Sequence, residues 1–155
     1  MGLESVFIIA IMLSASIIIS SILIYTSNIR YRKISEADMV MRLSDRIYAS
    51  ENGKKILEMA KDPNKVIVNI EDKDGKEGDA LPHRDVENFL NDVEHVFVLQ
   101  QDKIFTDRTV RYAFSWVIDL IVENKSMMTF IAKKQEEYGD VAWKPISDYA
   151  NNRKV

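Results

Sequence analysis

An uninterrupted apolar run from Ser5 to Ser27 constrains this chain more than any other feature. It is built of Ile, Leu, Val, Phe, Met, Ala and Ser, with Tyr25 and Thr26 near its end. As a helix rising about 1.5 Å per residue it extends roughly 35 Å, enough for the hydrocarbon core of a bilayer. A cleaved signal peptide needs a positive leading segment and a shorter apolar stretch. The residues ahead of this run are Met1, Gly2, Leu3 and Glu4, so an uncleaved anchor is the expectation. The opening Met-Gly does not read as a myristoylation signal, which asks for Ser or Thr at the sixth position, where this chain has Val6.

Arg30, Arg32 and Lys33 lie just after the run. Basic residues flanking a span are retained on the cytoplasmic side, which predicts an outside N-terminus and a cytoplasmic soluble part. Tyr25 and Tyr31 stand where interfacial aromatics are expected. Within the run, Ser14, Ser16, Ser20 and Ser21 are small enough to admit a second helix. A serine bonding back to its own helix is the preferred reading, because no small-xxx-small repeat extends over several turns.

Charge is concentrated beyond the apolar run. The first 29 residues hold one acid, Glu4, and no Lys or Arg. The remainder carries 21 Lys and Arg against 23 of the 24 Asp and Glu, a net charge near −2. That balance provides no basic footprint for nucleic acid. With 46% hydrophobic residues the chain falls outside disordered compositions. The absence of Cys excludes disulfides and thiolate metal sites. About 125 residues beyond the anchor suffice for one modest core.

Ile34, Ala37, Val40, Met41, Leu43 and Ile47 recur at helical spacing, so the anchor helix is expected to continue beyond the span. Ser50 to Gly53 predicts a bend or new cap, and Ile56, Leu57 and Ala60 form the inner face of a further helix, which Asp62 and Pro63 end. Val66, Ile67, Val68 and Ile70 read as an extended stretch without a strand partner, packed over the helices. Glu71 to Asp79 reads as a solvated charged loop. From Arg84 to about Gln101, the residues Val86, Phe89, Leu90, Val93, Val96 and Phe97 define an amphipathic helix. Thr106 is a candidate N-cap for a helix running through Trp116 and Ile121, continuing to Tyr138, with Gly139 at its end. Trp143, Pro145, Ile146 and Tyr149 predict a short docking helix. The expected fold is all-α: an N-terminal transmembrane helix followed by a three- or four-helix antiparallel bundle. The chain divides into an anchor over 1–29, a linker helix and helical segment over 30–62, an extended stretch and charged loop over 63–82, and a helical domain over 83–155.

No catalytic, cofactor-binding or metal-binding constellation emerges. Asp72-Lys73-Asp74-Gly75 resembles the opening of a calcium loop, but its fifth, sixth and twelfth positions are Lys76, Glu77 and His83, which do not suit the ion. His83 and His95 are the only histidines, and His95 lies opposite the Phe89 and Val93 face, in solvent. No phosphate loop, nucleophile elbow or helical His-Glu pair motif occurs. Glu87 and Glu94 are placed to pair with Arg108 or Arg111.

The stretch from Asn88 to Ile121 reads Asn-Phe-Leu-Asn-Asp-Val-Glu-His-Val-Phe, a short turn, then an aromatic and aliphatic helix containing Trp116. It resembles a family of small membrane-anchored helical proteins catalogued as a domain of unknown function. The resemblance covers about two thirds of the chain and implies an anchor, a linker helix and a helical domain, with no substrate or catalytic residues. Val66 to Asp79 lies outside it.

A double apolar stripe points to partners. Val110, Phe114, Val117 and Ile121 form one stripe, and Tyr112, Trp116 and Leu120 a second, leaving Arg108, Arg111, Ser115 and Asp119 as the polar strip. Either this helix is central, with neighbours on both sides, or Tyr112, Trp116 and Leu120 form an exposed partner surface. The central-helix reading is preferred, because wide apolar arcs in small bundles are usually buried. The functional expectation is an interaction or accessory subunit of a membrane complex, binding a protein partner or a second copy of itself. A membrane-linked signalling or sensor component is the alternative, and an enzyme is not expected.

Overall fold

The computed structural model describes residues 3–71, 74 and 78–153, with backbone alone at 3–11 and 15. Its elements are α1 (Leu3–Ser44), a π-helical turn (Asp45–Ala49), α2 (Glu51–Ala60), α3 (His83–Gln101), α4 (Asp107–Ala113), α5 (Ser115–Glu123), α6 (Lys125–Tyr138) and α7 (Lys144–Asn152). The fold is all-α, and no strand occurs among the described residues. The chain divides into two compact units, Met1–Asp38 and Met39–Val155.

In the first unit, one helix near the N-terminus is long and apolar enough to cross a membrane. Its most apolar window has mean hydropathy 1.6 and no residue buried by the protein. Met12, Leu13, Ile17, Ile18, Ile19, Ile22, Leu23 and Ile24 are all exposed. Ser21 donates its hydroxyl to the Ile17 carbonyl at 2.8 Å and Thr26 to Leu23 at 3.0 Å, so both satisfy themselves on their own helix.

The second unit has one apolar core, running from Leu43 and Ile47 to Ile146. The inner faces expected from periodicity are buried: Ile56, Leu57 and Ala60 on α2, and Val86, Phe89, Leu90, Val93, Val96 and Phe97 on α3. Helix α3 packs on the π turn, α2, α4 and α7. Ser50 caps α2 by accepting the Gly53 N–H at 3.0 Å, Thr106 caps α4 by accepting that of Thr109 at 3.1 Å, and Gly139 (φ 91°) ends α6. Helix α7 is held on α5 by the Tyr149 phenol, which donates to Asp119 at 2.9 Å, and by Arg153, which pairs with Asp119 and Glu123.

The single helix expected from Thr106 to Tyr138 is instead three, cut at Phe114 and Asn124. Phe114 adopts φ −129° and ψ −12°, and the Ala113 carbonyl beside it accepts the phenol of Tyr48 at 2.6 Å. Asn124 is extended (φ −81°, ψ 117°) and fully buried. Its side-chain oxygen accepts the Met127 N–H at 3.0 Å, capping α6, while its amide nitrogen donates to the carbonyls of Asp62 and Lys65 at 3.0 and 3.2 Å. These two cuts raise the number of helices among the described residues above the three or four expected, while the short final helix expected around Trp143 to Tyr149 is present as α7.

The same junction organises the Val66–Ile70 stretch. The Ser126 hydroxyl accepts the N–H groups of Ile67 and Val68 and donates to the Val68 carbonyl, and Val68 makes one isolated parallel bridge to Leu81. The stretch is therefore extended and packed on helices, in keeping with its β-branched run, with backbone bonds to the Ser126 hydroxyl at a helix terminus and from the Leu81 N–H to the Ile67 carbonyl at 2.7 Å. The charged loop expected over Glu71 to Asp79, and the likeness to a calcium loop with it, falls in part on residues 72, 73 and 75–77, outside the described residues; at its described end Asp79 pairs with Lys65 at 3.2 Å.

Candidate functional site

Four aromatic rings form a ladder from the core to the surface of the second unit. Phe105 stacks on Phe114 with centroids 5.9 Å apart, Phe114 on Tyr48 at 6.4 Å, and Tyr48 on Trp116 at 6.1 Å. Phe105 and Phe114 are buried, Tyr48 is half-buried, and Trp116 is 52% exposed. The π turn carries Tyr48 into this position, and its bond to Ala113 satisfies a carbonyl at the end of α4 that would otherwise lack a helical partner. The indole of Trp116 is thus supported on one face by a fixed ring while much of its surface meets solvent.

Trp116 stands at one edge of an open groove of about 920 Å³ whose floor includes Tyr48, Leu57 and Met59. Lys54, Lys55 and Lys61 lie along the groove with Glu51 and Glu58. Lys61 is paired with Glu58 at 2.6 Å. Among the described residues, neither Lys54 nor Lys55 has a carboxylate within ion-pair distance. Tyr112, on α4 across the break at Phe114 from Trp116, is 78% exposed, with the Arg108 guanidinium 5.5 Å from its ring centre.

The expectation that the Tyr112, Trp116 and Leu120 stripe is buried in a central helix is corrected for its first two members. Leu120 is half-buried against the core, whereas Tyr112 and Trp116 face solvent. The cause is the break at Phe114, which splits the presumed wheel between α4 and α5. The other stripe, Val110, Phe114, Val117 and Ile121, is buried throughout.

The remaining titratable residues build structure. Glu87 does not pair with Arg108 or Arg111, as its spacing suggests, but with Lys134 of α6 at 2.9 Å; Lys134 is itself buried and also meets Glu137 at 3.6 Å. Glu94 accepts the backbone N–H of Trp143, and burial pushes its carboxyl above the usual carboxylate range despite that bond. Trp143 occupies the left-handed region (φ 49°, ψ 31°), a conformation costly for a bulky side chain. Its indole N–H donates to Asn91 at 2.8 Å and its ring stacks on Phe130, contacts that determine this geometry from several sides. His83 is buried, with Nε2 2.8 Å from the Asn69 carbonyl and its ring edge-on to Phe130. His95 is exposed, on the side of α3 away from Phe89 and Val93.

Sequence reasoning missed Tyr48 and Asn124. A cap signal existed for Asn124, since Asn favours helix N-termini. None existed for Tyr48, whose partner carbonyl is 65 residues away. No protein-family model, curated protein or solved structure matches the chain.

Proposed function

We propose that this chain is a single-pass membrane protein whose helical unit is an interaction or accessory subunit of a membrane complex. The long exposed apolar helix supports the anchor, because contiguous apolar surface of that length is strongly disfavoured in water and at home in lipid. Arg30, Arg32 and Lys33 favour a cytoplasmic helical unit and an outside N-terminus. The second unit is best described as an antiparallel helical bundle, with α3 against its neighbours around one core.

The observation that carries the interaction reading is Trp116, a half-exposed indole held rigid on Tyr48 at the edge of a groove. Rigid aromatics of this kind are enriched among residues that dominate binding energy. The partner is another protein of the membrane complex or a second copy of this chain. The test is purification of the full chain from its own membranes in mild detergent. A stoichiometric partner should accompany the wild type and be lost from Trp116→Ala, with the variant still folded and its melting temperature lowered only by a few degrees. Equal recovery from both proteins would defeat the assignment of the face. A signalling role is the second reading, favoured by the continuity of α1 from Leu3 to Ser44.

A further inference from the structure

We infer that the Trp116 groove takes an acidic peptide segment of a partner protein, with an apolar side chain seated beside Trp116 against Leu57 and Met59 and flanking carboxylates on Lys54 and Lys55. This rests on the reading of the face as a docking surface and adds the chemistry of its occupant. Tyr48, Leu57 and Met59 make the floor apolar, which calls for an apolar anchor. The lysines on α2 supply the complement for charge. Lys61 is neutralised by Glu58, whereas Lys54 and Lys55 have no ion-pair partner among the described residues, and Glu51 is the one lining carboxylate left to offset them. The groove is lined by three lysines and two glutamates in a chain of net charge −3, so its excess of positive charge is a local arrangement rather than a consequence of bulk composition. Cations beside an apolar floor select an occupant of opposite charge and repel a basic one.

The experiment places a photoreactive side chain, Ala49→p-benzoylphenylalanine, in the full chain within its native membranes, an exposed position that lines the groove and lies outside the core. Illumination should yield a protein adduct whose crosslinked peptide, read by mass spectrometry, carries Asp or Glu around an apolar residue. In the same background, Lys54→Glu with Lys55→Glu should lower the yield about tenfold at roughly 0.15 M salt, with unchanged circular dichroism, and added salt should weaken the wild-type adduct. An adduct insensitive to charge reversal, or one joining two copies of this chain, would overturn the acidic segment while leaving the face a docking surface. A lipid adduct, or none, would overturn both.

Discussion

Trp116 and Phe114 are two residues apart and belong to one aromatic ladder, yet they should respond oppositely to truncation. Phe114 is fully buried between Phe105 and Tyr48, so Phe114→Ala removes a core ring and should cost about 3–5 kcal/mol. Trp116 contributes one stacked face and is otherwise in water; Trp116→Ala should cost only about 0.5–1.5 kcal/mol, the range of an aromatic pair. Denaturant unfolding of both variants checks this, and a loss at Trp116 equal to that at Phe114 would mean that the indole is buried. Glu94 provides a second test through pH. Burial raises its folded pKa above the ordinary 4.5, and the Trp143 N–H only partly offsets that. The folded state therefore holds this proton more tightly than the unfolded chain. Its contribution to stability is fully present below the unfolded value and is lost as pH rises through the folded value. Glu94→Gln cannot ionise, so its stability relative to wild type should increase as pH rises from below the ordinary 4.5 through the raised folded value. The opposite slope would show that the Trp143 hydrogen bond outweighs burial.

At the scale of elements, the junction between the π turn and α2 depends on Gly53. A methyl group there would run into the Ile47 carbonyl oxygen, with the Ser50 hydroxyl 2.8 Å away and the Ile47 carbonyl carbon at 2.9 Å. Gly to Ala in a helix ordinarily stabilises by about 1 kcal/mol. Here the sign should reverse, with Gly53→Ala losing about 1–3 kcal/mol because backbone must move; a stabilised variant in thermal melts would refute the close approach. Ser50, Thr106 and Gly139 were legible as caps because capping is written in a few adjacent residues, and the inner face of α3 was legible because periodicity is local too. The cut at Phe114 was not, since Phe114 continues an apolar helical pattern, and the Asn cap signal at Asn124 is weak beside the helical residues on both sides of it. The causes of the two cuts are distant groups: the phenol of Tyr48 at one, and the carbonyls of Asp62 and Lys65 at the other. The same distance hid the candidate site. Tyr112 and Trp116 were visible as a stripe, but the direction in which they face depends on the cut at Phe114, and the ring that supports Trp116 comes from the π turn. Asn124→Ala leaves the Met127 N–H and both loop carbonyls without their partner, so a loss of about 1–3 kcal/mol is expected. Asn124→Asp should rescue the helix cap but not the loop, because a carboxylate accepts from Met127 and cannot donate to Asp62 and Lys65.

For the whole molecule the decisive contrast is one of solvent. The large apolar residues from Met12 to Ile24 are exposed on α1, whereas the buried core begins at Leu43 and lies entirely within the unit Met39–Val155. Separated from the first unit, residues 39–155 retain every core side chain and the caps of α2, α4 and α6. That fragment should remain in the soluble fraction and give a helical circular dichroism spectrum, while the full chain should resist extraction by alkaline carbonate. A fragment that pellets with membranes would place a second lipid contact in the helical unit, and a full chain released by carbonate would remove the span. Orientation is then decided with the full chain in intact cells. Protease added outside should spare the helical unit, and permeabilisation should expose it to cleavage at its surface segments, because Arg30, Arg32 and Lys33 favour retention of that side in the cytoplasm. Cleavage in intact cells would reverse the topology, and the partner sought for the Trp116 groove would then have to present its acidic segment outside the cell.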